Sequence, residues 1–202
     1  MDIKMKESII LVDCDGVLLN WEYAFEVWME QHGFEKIPGT ELDYDISLRY
    51  SISRTQCVKL IKMFNESAAI GFLPPLRDAM YYVDKLHREH GYTFHCITSV
   101  STDPNAIKLR EMNLRKLFGE TVFQKIVCLD TGAEKDAALF PYRDTGCHWI
   151  EDKVSNAETG NKLGLHSILM EHGHNMHYYH KDIPIVKDWK SAYELITGQT
   201  SL

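Results

Sequence analysis

The chain has 202 residues, enough for one sizeable core or for one core plus a small lid. Its 45% apolar and 25% charged residues are ordinary for a soluble globular protein, and with a formal charge of −7 and no long run of Lys and Arg it is not expected to grip a nucleic-acid backbone. A small anionic ligand stays open, because a few local cations or a metal reverse the field inside a cleft. No stretch approaches a membrane span, and the apolar run after the charged segment Met1 to Glu7 is too short for a secretory leader. Cys14, Cys57, Cys96, Cys128 and Cys147 form no CxxC pair, and read as small hydrophobes in a reducing compartment. A cytoplasmic protein is expected.

Ile9 to Val12 reads as a buried central strand, because it is apolar on both alternating faces. It ends on Asp13-Cys14-Asp15-Gly16, two carboxylates where burial is costly unless they are paired or metal-bound. Trp21, Ala24, Phe25, Trp28, Met29 and His32 follow helical spacing, with Gly33 as a stop. Phe34 to Ser51 is turn-rich, and Arg54 to Phe64 is a second helix. After Pro74-Pro75, the positions Leu76, Ala79, Met80, Val83 and Leu86 predict a helix with Pro75 in its first turn, closed by Gly91. Strands are expected at Tyr92 to Thr98, Ile126 to Leu129, His148 to Ile150 and Ser167 to Met170. Between them lie helices opened by Asp103-Pro104, spanning Ala133 to Leu139, and spanning Val154 to Leu163. A short apolar stretch from Ile185 and an amphipathic helix through Trp189, Tyr193 and Ile196 close the chain.

Strand and helix alternate from Tyr92 to Met170, which predicts an α/β fold: a Rossmann-like parallel sheet with helices on both faces. The roughly fifty residues between the first two strands are too many for one crossover. They predict a small helical cap over residues 20–73, inserted into a core domain of residues 1–19 and 74–202.

In such a sheet the ligand crevice lies outside the carboxyl ends of the strands. Those ends present Asp13 and Asp15, then Thr98-Ser99, then Glu151-Asp152, with Lys135 opening the helix after the third strand. Each group alone has a plainer reading as a turn residue, a helix cap or a solvated lysine. Together they suggest phosphoryl transfer, in which charge is neutralised and geometry held. Asp13 is the candidate nucleophile and Asp15 the candidate general acid and base. Asp13, Glu151 and Asp152 are hard oxygen donors suited to Mg²⁺. Thr98 or Ser99 is expected to bind a phosphoryl oxygen, and Lys135, with Lys125 as the weaker rival, to offset negative charge. The histidines His166, His172, His174, His177 and His180 read as belonging to an exposed polar loop over 171–180 or its surroundings rather than to a metal site, and Asp43 and Asp45 as solvated. Trp21, Phe25 and Tyr44 are cap aromatics able to stack a base, although burial in the cap core is the plainer reading for most of them.

Asp13-Cys14-Asp15-Gly16-Val17-Leu18 resembles the first motif of the haloacid dehalogenase superfamily. Thr98-Ser99, Lys135, and Trp149-Ile150-Glu151-Asp152 with Asn156 and Gly164 resemble the second, third and fourth in the same order. The resemblance implies Mg²⁺-dependent hydrolysis of phosphate esters, with the main-chain carbonyl of Asp15 also on the metal, and a C1-type cap. Within the superfamily, Phe72-Leu73-Pro74-Pro75-Leu76, Asp78-Ala79 and Cys96-Ile97-Thr98-Ser99 are similar to the 5'(3')-deoxyribonucleotidases, whereas Glu151-Asp152 is closer to the phosphoglucomutase-like branch. The expected protein is therefore a phosphatase of a small phosphomonoester, with nucleotides among the candidates, acting without a nucleic-acid polymer or a membrane. A phosphotransferase or mutase acting on a sugar phosphate, and a non-catalytic binding protein of the same fold, are the alternatives.

Overall fold

The apolar run Ile9–Val12 forms β1, and its continuous burial follows from its place in the middle of a sheet. In the computed structural model, which describes residues 8–40, 43 and 45–199, β2 (Thr93–Ser99), β3 (Phe123–Leu129), β4 (His148–Glu151), β5 (His166–Met170) and β6 (Ile185–Val186) complete that sheet. Its spatial order is β3-β2-β1-β4-β5-β6, and all neighbours are parallel. The helices in chain order are α1 (Trp21–Gln31), α2 (Ile46–Arg49), α3 (Arg54–Asn65), α4 (Ala79–His90), α5 (Pro104–Phe118), α6 (Asp136–Leu139), α7 (Val154–Lys162) and α8 (Trp189–Thr197). The fold is α/β and Rossmann-like.

Alternation along the strands sends side chains to two faces. Ile10, Val12, Phe94, Cys96 and Ile150 pack under α4, α5 and α8, through Val83, Leu86, Leu114, Trp189 and Tyr193. Leu11, Ile97 and Trp149 face the other way, onto Leu139, Tyr142 and Leu165. Strand order reverses between β1 and β4, and this is where an open α/β sheet leaves its crevice. Val12 pairs with Ile150, and the Asp13 amide donates to the Ile150 carbonyl at 2.9 Å, so the acidic ends of these two strands lie side by side.

Between β1 and β2, α1 and α3 meet through aromatic rings. Trp21 stacks on Phe25 at 4.7 Å, and Phe64 meets Trp21, Phe25 and Trp28 edge-on. This cluster is continuous with the larger face of the sheet. Asn65 ties it down further, accepting from the Trp21 indole at 2.9 Å and donating to the Val100 carbonyl at 2.9 Å.

Two expected helices begin later than their sequences suggest. The helix after Pro74-Pro75 starts at Ala79. Pro75 instead bridges Leu19, and the Leu76 amide donates to the Leu18 carbonyl, which keeps both residues out of a helical turn. The Asp78 carboxylate accepts from the amides of Trp189 and Lys190, at the start of α8. Met80, expected in the buried stripe, is exposed. The helix expected from Ala133 is confined to Asp136–Leu139, because Gly132 takes a positive φ of 74° and the Ala133 carbonyl is held by the Ser99 hydroxyl. Strand β3 is longer than expected, starting at Phe123.

Candidate active site

At the switch point, Lys135 reaches from the start of α6 to both acidic strand ends. Its Nζ lies 2.7 Å from Asp13 Oδ2 and 2.8 Å from Glu151 Oε2, and it sits 5.3 Å from the Trp149 ring centre. The other Asp13 oxygen accepts from the Cys14 amide at 2.6 Å. The other Glu151 oxygen accepts from the Lys153 amide at 3.1 Å, so both oxygens of this fully buried carboxylate are engaged. The Asp152 carboxylate lies against Gly16. A Cβ at Gly16 would overlap the Asp152 carboxylate, and Gly16 also has a φ of +73°, so glycine is required there twice over. One oxygen each from Asp13, Glu151 and Asp152 lie within 4.8 Å of one another.

Crowding of this kind perturbs proton affinity. Burial, then the Glu151 charge, pushes the Asp13 carboxyl up to about 8 against the pull of Lys135. Burial, then the Asp13 charge, pushes Asp152 up to about 7. Burial also raises Glu151, opposed by Lys135. Burial works to discharge Lys135, but Asp13 and Glu151 outweigh it and keep the ammonium well above its usual range. One buried cation thus faces three carboxylates. Hard oxygen donors gathered with an excess of negative charge are the chemistry a small divalent cation answers, and the residues present fit one.

Asp15 lines the same cavity but pairs with a second cation. Arg110, fully buried on α5, grips both of its oxygens at 2.5 and 2.9 Å and also touches Cys14 Sγ at 2.9 Å. Cys14 is therefore a buried spacer turned toward Arg110, away from Lys135. Arg110 was not singled out from the sequence, yet a signal exists. It lies on the same inward stripe of α5 as the buried Ala106, Asn113 and Leu114, a position where an arginine is out of place without a buried acid.

Thr98 and Ser99 differ in their hydrogen bonding. Ser99 Oγ is spent on the Ala133 carbonyl at 2.8 Å. Thr98 is fully buried, and its hydroxyl has no hydrogen-bond partner. An orphaned buried hydroxyl is costly and is suited to an incoming oxygen. Lys125, the rival of Lys135, lies over the Tyr142 ring instead.

These groups form the floor of a cavity of about 820 Å³, within the range of small-molecule sites. Trp21, Glu22, Ile46, Arg49, Val58 and Ile61 line the side built by α1 to α3. Arg49 forms an ion pair with Glu22. Asp45, expected to be solvated, caps α2 through the Ser47 amide, pairs with Arg54 at 3.1 Å and borders the cavity. Phe25 is buried among its aromatic neighbours and is not available for stacking, Trp21 borders the cavity, and Tyr44 lies outside the described residues.

The histidine-rich segment is also placed differently from the exposed loop expected. His172 Nε2 lies 2.7 Å from the Gly16 carbonyl, and His174 Nε2 lies 3.2 Å from the Asp152 carbonyl. Both rings border the cavity, and burial lowers the proton affinity of both. His spacing alone did not reveal this, because the loop reaches the site only through the position of β5 beside β4.

Solved structures that share this fold, a haloacid dehalogenase and a haloacid dehalogenase-like hydrolase among them, align over most of the chain. D,D-heptose 1,7-bisphosphate phosphatase from B. bronchiseptica, complexed with magnesium and phosphate, aligns with a TM-score of 0.58 at 12% identity, covering 95% of this chain and 98% of that one. A haloacid dehalogenase-like hydrolase from Streptococcus pneumoniae gives 0.64 at 15% identity, covering 96% and 99%. L-2-haloacid dehalogenase from Xanthobacter autotrophicus, with chloropropionic acid covalently bound, gives 0.60 at 10% identity, covering 96% and 99%. In sequence, the chain is similar to an uncharacterized 32.4 kDa protein of the Gp30–rIII intergenic region of Enterobacteria phage T4, 25% identical over 132 residues. That match covers 63% of this chain and 47% of the phage protein, so the chain spans about half the length of its curated relative. No family model matches the sequence.

Proposed function

We propose that the chain is a Mg²⁺-dependent phosphatase that hydrolyses a small phosphomonoester through an aspartyl-phosphate on Asp13. The observation that carries this reading is the pairing of Asp13 with Lys135 at 2.7 Å and with the facing carboxylate of Asp152, on the floor of a cavity. Asp13, Asp152 and the Asp15 carbonyl would hold the metal, while Glu151, with both oxygens engaged, serves to hold Lys135. A Mg²⁺ held there would supply positive charge to offset the carboxylates and the phosphoryl group.

In the first step an Asp13 carboxylate oxygen forms a bond to phosphorus while the ester P–O bond breaks, and the departing oxygen takes a proton from Asp15. In the second, water attacks phosphorus, Asp15 takes back a proton, and the Asp13–phosphate bond breaks to release inorganic phosphate. Lys135 balances negative charge on Asp13 and on the phosphoryl oxygens, and Thr98 Oγ donates to one of them. Asp15 has both oxygens on Arg110, which fixes the carboxyl while each oxygen keeps a further lone pair for proton transfer. The helical segment of residues 20–73 acts as the cap in this reading, and a nucleotide is among the substrates that a cavity of this size and a bordering Trp21 would admit. A cytoplasmic setting accords with five free cysteines; among the described residues no helix is long and apolar enough to cross a membrane.

A screen of nucleotides and sugar phosphates with Mg²⁺, repeated with EDTA, tests the proposal. Phosphate release that EDTA abolishes is the expected result. Turnover of a 2-haloacid without added metal, in the absence of any phosphatase activity, would overturn it.

A further inference from the structure

We infer that the segment Glu171–Asn175, which follows β5, is a positioning element that sets the affinity of the metal site by fixing the backbone on both sides of it. The inference rests on the proposed phosphatase reading. His172 Nε2 bonds the carbonyl of Gly16, the residue that follows Asp15, and His174 Nε2 bonds the carbonyl of Asp152 itself. Asn175 locks these two together. Its amide nitrogen donates to the carbonyls of Asp152 and Met170, each at 2.8 Å, and its oxygen accepts from the His172 amide at 2.8 Å. Asn175 is buried, and the two imidazole rings lie parallel, 5.7 Å apart.

Two strand ends already joined by the Asp13–Ile150 backbone bond are therefore also clamped, just beyond it, from a third strand. The clamp acts where space is tight, because the Asp152 carboxylate occupies the room that a Cβ on Gly16 would need. A shift of either carbonyl by a few tenths of an ångström changes the separation between Asp152 and Asp13, which is the dimension a small, geometrically demanding cation reads. Groups that orient the direct ligands of a metal commonly affect its affinity as strongly as a weak ligand does.

The test is calorimetric titration of the full chain with Mg²⁺ alone, at one fixed pH and without substrate. His172→Phe and His174→Phe keep a ring but remove the donor, and His172→Gln restores a donor at the same reach. Each Phe variant is expected to weaken Mg²⁺ binding by about tenfold or more, and His172→Gln to stay within about threefold of the parent. Melting temperatures of the metal-free variants are expected to change little, a split that simple loss of packing would not produce. Mg²⁺ affinity within about twofold of the parent in both Phe variants overturns the inference, and so does weakening that His172→Gln shares. Failure of all three to fold overturns it too, since the bonds would then serve the fold and not the site. If the parent chain itself binds no Mg²⁺, the phosphatase reading fails first, and the two failures are distinct.

Discussion

The cavity has two unlike walls. Its floor, at the carboxyl ends of β1, β2 and β4, is charged and almost fully engaged: Lys135 with Asp13 and Glu151, Arg110 with Asp15, and the Lys153 amide with Glu151. The wall formed by α1 to α3 presents Trp21, Ile46, Val58 and Ile61 beside the Glu22–Arg49 pair, with Val58 63% exposed. A floor whose groups depend on one another gives large, non-additive responses to change. A half-exposed apolar wall gives small responses, confined to whatever touches it. On the proposed reading, the difference divides the work: the floor would perform the reaction, and the wall would select what is attached to the phosphate.

The largest expected effect is at the floor. Asp13→Asn removes the nucleophile and should lower kcat on the order of 10³-fold or more, read by phosphate release. It also removes one of three crowded carboxylates, so the metal-free variant should melt no lower than the parent. Full retention of turnover would break the assignment of roles. Lys135→Met comes next. It leaves Asp13 and Glu151 facing each other without their cation, and breaking a buried pair in this way costs about 3–5 kcal/mol. Chemical denaturation without metal should show the loss, and added Mg²⁺ should restore part of it. A variant as stable as the parent would mean that the floor is not coupled as described.

A third expectation concerns pH. Asp13 and Asp152 have folded-state values of about 8 and about 7, above the ordinary 3.8 of the unfolded chain. Between pH 4 and pH 8 the folded state therefore holds more protons than the unfolded state, so these two groups make metal-free stability fall as pH rises through that window. The fall should level off above about pH 8. On the proposed reading, Mg²⁺ would bind the deprotonated carboxylates and oppose the trend. At 100 times its Kd it adds about 2.7 kcal/mol, which for a chain of this size is a rise in Tm of about 5–10 °C. Thermal melts at pH 5 and pH 8, with and without Mg²⁺, check both signs.

The same division explains what the sequence disclosed. The floor was legible because a carboxylate directly after a buried strand is anomalous wherever it occurs, and parallel order brings such strand ends together. Asp13, Lys135, Glu151 and Asp152 accordingly lie where the strand pattern places them. Arg110 and His172 were not legible by that route. Each reaches the site from an element whose packing, across α5 in one case and beyond β5 in the other, depends on the whole sheet. Glu151 and Asp152 are neighbours of similar chemistry, and only the structure separates the one engaged by Lys135 and Lys153 from the one turned toward Gly16. The wall was the least legible part, since aromatic and aliphatic residues at helical spacing read alike whether they face a core or a cavity. Phe25 and Trp21, four residues apart on α1, went to different fates.

The smallest effect is the sharpest test of the wall. Val58 lies on α3, borders the cavity and is largely exposed, so Val58→Ser should leave stability within about 0.5 kcal/mol of the parent. Removing its two methyl groups takes away apolar area that a leaving group of sufficient size would cover. Loss of a contact worth about 0.8 kcal/mol per buried carbon would raise KM a few-fold while kcat stays near the parent value, because the contact is the same in the bound ester and at the transition state. The change should appear with a bulky phosphomonoester and vanish with a small one such as methyl phosphate, whose methyl group is too short to leave the floor. A drop in kcat shared by both substrates would show instead that α3 helps to set the geometry at Asp13, and the two walls would then be one device.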